Sequence, residues 1–156
     1  MAAERSIVVG VDGSEASRAA LDWAIEEARL RGATCLLVHA YEFGVAAAGW
    51  APGRALEQIE KDAEWVLDAA VERARAGGVP VQHRLELGAA AQVLIAASAD
   101  ADLLVVGTRG RGGVASTLLG SVSTACVHHA HCPVVVVPLL RMSAHAGEDR
   151  EALATT

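Results

Sequence analysis

Aromatic rings are scarce in this sequence: three Trp, one Tyr and one Phe among 156 residues. That scarcity excludes a core built on ring packing. The interior must come from Val, Leu, Ile and Ala, the composition of a sheet covered by Ala-rich helices. Lysine is scarcer still, with Lys61 the only one, and the formal net charge is −6. An acidic chain lacks the basic face of DNA and RNA binders, so no nucleic acid is expected as its main partner. Arg109 and Arg111 form one local basic spot. The cysteines are Cys35, Cys126 and Cys132, with no CxxC pair. An odd count excludes a complete disulfide framework and suits buried thiols in a reducing compartment. No apolar run is long enough to span a bilayer, and the opening MAAERSIVVGVDGS lacks the basic flank and apolar core of a secretory leader. The expectation is a soluble, cytoplasmic protein with no membrane partner.

What is present is a chain 53% hydrophobic and 21% charged, enough for the core of one domain without metals or disulfides. That domain is expected over residues 1–140, followed by a polar, mobile tail over 141–156. Residues 6–11 (SIVVGV) read as a buried strand ended by Asp12-Gly13-Ser14, with Ser14 as helix N-cap. Residues 16–30 carry apolar positions at Ala20, Leu21, Ala24, Ile25 and Ala28, one face of a helix that Gly32 ends. Residues 34–40 (TCLLVHA) are a second strand, and 41–54, rich in Gly and Ala with Pro52, a long loop. A helix over 55–76 stops at Gly77-Gly78. Residues 79–87 (VPVQHRLEL) alternate as an edge strand does, and Pro80 is tolerated there. A short helix over 88–98, a buried strand over 101–106, a glycine loop over 107–113, a helix over 118–130 and a strand over 133–137 complete the order. Alternating strands and helices predict an open parallel sheet with right-handed crossovers. Ligands of such sheets bind beyond the C-terminal strand ends, where strand order reverses.

The segment over 107–123 carries the most chemistry. Phosphate oxygens need several backbone N–H groups at close range, and glycine removes the Cβ that obstructs the approach. A loop that then opens a helix adds uncapped amides and the positive end of the dipole. Gly120-Ser121 would open such a helix, with Ser121 and Ser123 adding hydroxyls and Arg109 and Arg111 adding charge. A P-loop is excluded, because no lysine follows the glycines. Gly110-x-Gly112-x-x-Ala115 matches a dinucleotide fingerprint only formally, since it follows the fourth strand and the next strand has no acidic residue. On residues alone the segment is either an anion site or a flexible connection.

The spacing Gly107-x2-Gly110-x9-Gly120-Ser121, with IVVGVDGS, LLVHA, DLLVVGTRGRGG and GSVSTACVHHAHCPVVVVP, resembles the ATP-binding branch of the universal stress protein family over roughly residues 5–138. The resemblance implies an α/β fold with five parallel strands in the order 3-2-1-4-5 and helices on both faces. It implies ATP at the ends of the first and fourth strands, with Mg2+ carried on the phosphates. Asp12 would hold the ribose or adenine end with backbone help from Gly10 and Val11. Ala40 would meet adenine through its backbone, and Gly107 would lie against the ribose. Gly110, Gly120, Ser121, Val122 and Ser123 would hold the phosphates, with Arg109 beside them. A homodimer through the last strand, Val134–Val137, is also implied.

Other features have plainer roles. Asp12 also suits a helix cap. The set Cys126, His128, His129, His131 and Cys132 offers metal-ligand chemistry, but adjacent histidines leave a helix in different directions, and no metal site is expected. His39 reads as a satisfied core or rim residue, Trp23 and Trp65 as helix packing, and Glu57, Glu60, Asp62 and Glu64 as a solvated face. No Ser/His/Asp or Cys/His set announces catalysis. The function expected is a nucleotide-dependent regulatory or stress-response protein acting on an unidentified downstream protein. Its alternatives are a slow ATPase or phosphotransferase in the same pocket and a nucleotide-free dimeric interaction module.

Overall fold

A computed structural model of the chain describes residues 4–44, 52–109 and 119–139. The elements run β1 (Ser6–Gly10), α1 (Glu15–Arg31), β2 (Thr34–Tyr41), α2 (Pro52–Ala76), β3 (Val81–Leu87), α3 (Ala90–Ala97), a 3-10 turn (Ser98–Asp100), β4 (Leu103–Gly107), α4 (Ser121–His129) and β5 (Val134–Val137). The five strands form one sheet in the order β3-β2-β1-β4-β5, and the four pairings are all parallel. This is the expected fold and order.

The central strands are largely apolar because both faces of the sheet are covered. Side chains alternate between faces. Ile7, Val9, Cys35, Leu37, Leu103 and Val105 pack with Leu21 and Ile25 of α1 and Leu67 and Val71 of α2. Val8, Leu36, Val38, Leu104 and Val106 pack with Val93 and Leu94 of α3 and Cys126 of α4. Leu37 and Leu104 are fully buried, a state that stabilises the fold by about 2 kcal/mol for each such side chain. Ser14 caps α1 by accepting from Ser17 N at 3.2 Å, and Gly32 closes it in the left-handed conformation at φ 62°.

Several boundaries depart from the sequence reading. Tyr41 pairs with Leu87 as strand, and α2 starts at Pro52 instead of residue 55. Proline suits the first helical turn, where its missing N–H has no intrahelical partner to lose. The predicted loop over 41–54 is therefore shorter at both ends. β4 starts at Leu103 because the 3-10 turn takes up residues 98–100. α4 starts at Ser121, with Gly120 as its extended N-cap, so the expectation of a helix from 118 placed its start too early. The tail over 141–156 lies outside the described residues.

Burial sets the reactivity of the thiols. It pushes Cys35 and Cys126 up to about 11, and desolvation also raises the partly exposed Cys132. The thiolate is the reactive species. In a thiol-disulfide exchange assay with an aromatic disulfide at pH 8, one thiol per chain, Cys132, is expected to react in the folded state. Cys35 and Cys126 are expected to react only with denaturant present. Equal reaction of all three before unfolding would contradict the burial.

Candidate functional site

The C-terminal ends of β1, β2 and β4 open into one cavity of about 760 Å³. It lies where strand order reverses, since the chain runs from β1 outward to β2 and β3 and then returns beside β1 with β4. Gly10, Val11, Asp12, Ala40, Gly107, Arg109, Gly120, Ser121, Val122 and Ser123 all line it. Gly110 lies outside the described residues, as does Arg111. The sequence-derived site residues that are described thus meet around a single space.

The turn after β1 is fixed by short polar side chains. Asp12 Oδ1 accepts from Ser14 N at 2.9 Å, and Asp12 N donates to Ser17 Oγ at 3.1 Å. Asp12 therefore does not cap α1, a role Ser14 takes; it fixes the turn ahead of the cap and borders the cavity as well. Val11 is more constrained than the sequence suggests. Its N–H donates to Val38 O at 3.0 Å, and its carbonyl faces His39 Nδ1 at 2.6 Å. A carbonyl only accepts, so the His39 ring carries its proton on Nδ1. The Val11 amide is already engaged and contributes shape rather than a donor.

Gly107 has a reason to be glycine that lies outside the cavity. A Cβ there would stand 2.7 Å from Ala16 C and O and 2.9 Å from Ala16 Cβ. The first turn of α1 crosses the end of β4 at that point. Gly120 differs: a Cβ would meet Thr108 O at 3.4 Å and Arg109 Cα at 3.5 Å, ordinary contacts. Its own N–H donates to Thr108 O at 2.6 Å. Among the described residues of this segment, the backbone donors left for the cavity are those of the first turn of α4, Ser121, Val122 and Ser123. No side chain caps that turn, so its amides and the dipole leave a seat for negative charge. The Ser123 hydroxyl is not a spare donor, because it faces Thr108 O at 3.0 Å and Gly120 O at 3.1 Å and is buried. Ser121 is exposed at the mouth.

The sequence reading missed the wall supplied by α2. Ile59, Asp62, Ala63, Trp65 and Val66 line the cavity, with His39 and Tyr41 at the end of β2. The signal was the apolar stripe of Ile59, Ala63 and Val66, which continues past the strand ends and there faces a cavity instead of the sheet. Trp65 is 72% exposed, which corrects its assignment as a packing residue. The acidic face is also not uniformly solvated, since Tyr41 Oη donates to Glu60 Oε1 at 3.0 Å. That bond holds the Tyr41 phenol above its ordinary value, with desolvation and the Glu60 and Glu64 charges adding to it. At the far end of α4, Cys126 is buried in the core while His128 and His129 are exposed with ring centroids 6.2 Å apart. Among the described residues no His, Cys, Asp and Glu side chains cluster as a metal site, and no helix is long and apolar enough to cross a membrane.

Sheet order, cavity position and an uncapped helix N-terminus together define a doubly wound α/β protein with a cavity at its switch point. The sequence profile of the universal stress protein family matches residues 4–138, and the chain belongs to that family. A universal stress protein of Mycobacterium tuberculosis (strain ATCC 25618 / H37Rv) is 40% identical over 140 residues, covering 84% of this chain and 46% of the relative. The chain spans about half the length of the relatives it matches. A crystal structure of a universal stress protein in complex with cAMP is 31% identical, with a TM-score of 0.67 over 87% of this chain and 98% of the other. The universal stress protein from Archaeoglobus fulgidus in complex with dAMP is 27% identical, with a TM-score of 0.67 over 88% of this chain and 99% of the other.

Proposed function

We propose that this chain binds ATP in the cavity at the strand ends and acts as a nucleotide-dependent regulatory protein of the stress response. The observation that carries the proposal is the convergence of Asp12, Ala40, Gly107 and the α4 N-terminus on one cavity of about 760 Å³, within the size range of small-ligand sites. In this arrangement the phosphates sit on the amides of Ser121, Val122 and Ser123, with Gly110 and Arg109 beside them. Asp12 and the end of β1 take the ribose, Gly107 flanks it, and Ala40 meets the adenine edge. The donor set is neutral amide and guanidinium, which fits a polyphosphate. Mg2+ then enters on the phosphates. The cAMP and dAMP complexes of the two related proteins support an adenine nucleotide as the ligand class.

Binding would shift the population of conformations or assemblies that a partner protein reads. Val134–Val137 is the edge strand β5, and all four valines are half-buried. Pairing with a second copy there would cover an apolar edge, and a homodimer through β5 is part of the proposal.

Mass spectrometry of small molecules released from freshly purified protein tests the ligand, together with a melting curve in millimolar ATP and Mg2+. An adenine nucleotide in the released fraction, or a raised Tm, is expected. Ligand at a hundred times Kd stabilises by about 2.7 kcal/mol. Neither result, with the fold intact, would sink the proposal.

A further inference from the structure

We infer that Trp65 forms an aromatic wall of the cavity on which the base of a bound nucleotide stacks, an inference that rests on the proposed nucleotide site. α2 buries Ala63, Val66 and Leu67, yet Trp65 beside them is 72% exposed. One residue is a turn of about 100° around a helix, so the indole leaves α2 to the side of the buried stripe. It stands between two concavities. One is the main cavity; the other, of about 220 Å³, lies between α1 and α2 and is also bordered by Gly13, Arg18 and Arg73. The ring is therefore a ridge that a ligand in the main cavity meets.

The topology decides which end of the ligand that is. Phosphates on the α4 N-terminus lie on the β4 side of β1, and β2 lies on the opposite side. α2 packs over β2 and β3. The end of the nucleotide far from the phosphates then falls between Ala40 and α2, where Trp65 stands. Among the described residues that line the cavity, the other rings are tied down: Tyr41 to Glu60, and His39 to the Val11 carbonyl. Every base has a π face, so a stacking wall selects planar bases over base-free phosphates while discriminating little between purines.

Calorimetric titration of ATP with Mg2+, and separately of inorganic triphosphate, into the full chain and its variants tests this. Trp65→Ala and Trp65→Leu are each expected to weaken ATP about tenfold, and Trp65→Phe to stay within about threefold of the parent chain. Triphosphate binding and Tm are expected to be unchanged in all three, and Trp23→Phe to leave ATP affinity unaltered. Parent-like ATP affinity in Trp65→Ala or Trp65→Leu overturns the stacking wall and leaves the nucleotide site standing. Absence of ATP binding by the parent chain overturns both.

Discussion

Gly107→Ala is expected to lower the stability of the domain by about 3 kcal/mol, the upper part of the range for overpacking. The added methyl points at backbone, not at a movable side chain: Ala16 C and O stand 2.7 Å from its ideal position. Relief requires α1 to move off the end of β4, and α1 carries Leu21 and Ile25 into the core. For a domain of this size the loss corresponds to a Tm lower by roughly 10 °C, measurable by thermal unfolding followed by circular dichroism. Gly10→Ala is the matched comparison. Its Cβ would approach Leu94 Cδ1 at 2.9 Å, the far end of a flexible side chain, so a cost below about 1 kcal/mol is expected. Equal melting of the two variants would contradict the packing described at Gly107.

Gly120→Asp is expected to separate binding from stability. Gly120 has φ −78° and ψ 174°, an N-cap backbone any residue adopts, and room for a Cβ. An aspartate there would accept from the first-turn amides of α4, which no side chain caps at present. Asp at an N-cap is better than Gly by a few tenths of a kcal/mol, so Tm should hold or rise slightly. The same carboxylate would occupy the phosphate seat with like charge. At about 4 Å, two unit charges near a protein surface repel by about 4 kcal/mol, and a loss of ATP affinity of at least about 100-fold is expected. A variant that melts like the parent and binds ATP like the parent would remove the α4 N-terminus from the site.

The fold was readable because its central strands are short apolar runs separated by helical stripes and glycine stops. Val8 and Val9 face opposite sides of one sheet, and a sheet covered on both faces asks for that pattern. Boundaries were harder where one residue type serves two roles. Pro52 marks a loop in sequence and a helix start in space, and Gly120 reads equally as loop or cap. The Gly and Ser positions of the site lie on two local segments, so their spacing matched the family signature, and the resemblance implied their roles. Trp65 and Asp62 reach the cavity only through packing of α2 over β2, which no local pattern encodes. Sequence also does not show which donors are already engaged. Val11 N, Gly120 N and the Ser123 hydroxyl each have a partner within the fold, which leaves the amides of the α4 first turn and the Arg109 guanidinium as the donors the described residues of this segment offer the proposed phosphates.

The central claim is that this cavity holds an adenine nucleotide by those amides. Isothermal titration of ATP with Mg2+ into the parent chain and into Gly120→Asp, under identical buffer and with both folds checked by circular dichroism, tests it most directly. Saturable binding of one nucleotide per chain by the parent, abolished or weakened at least about 100-fold in the folded variant, is the expected result. No heat of binding from the folded parent at millimolar ATP, or equal affinity in both proteins, would contradict it.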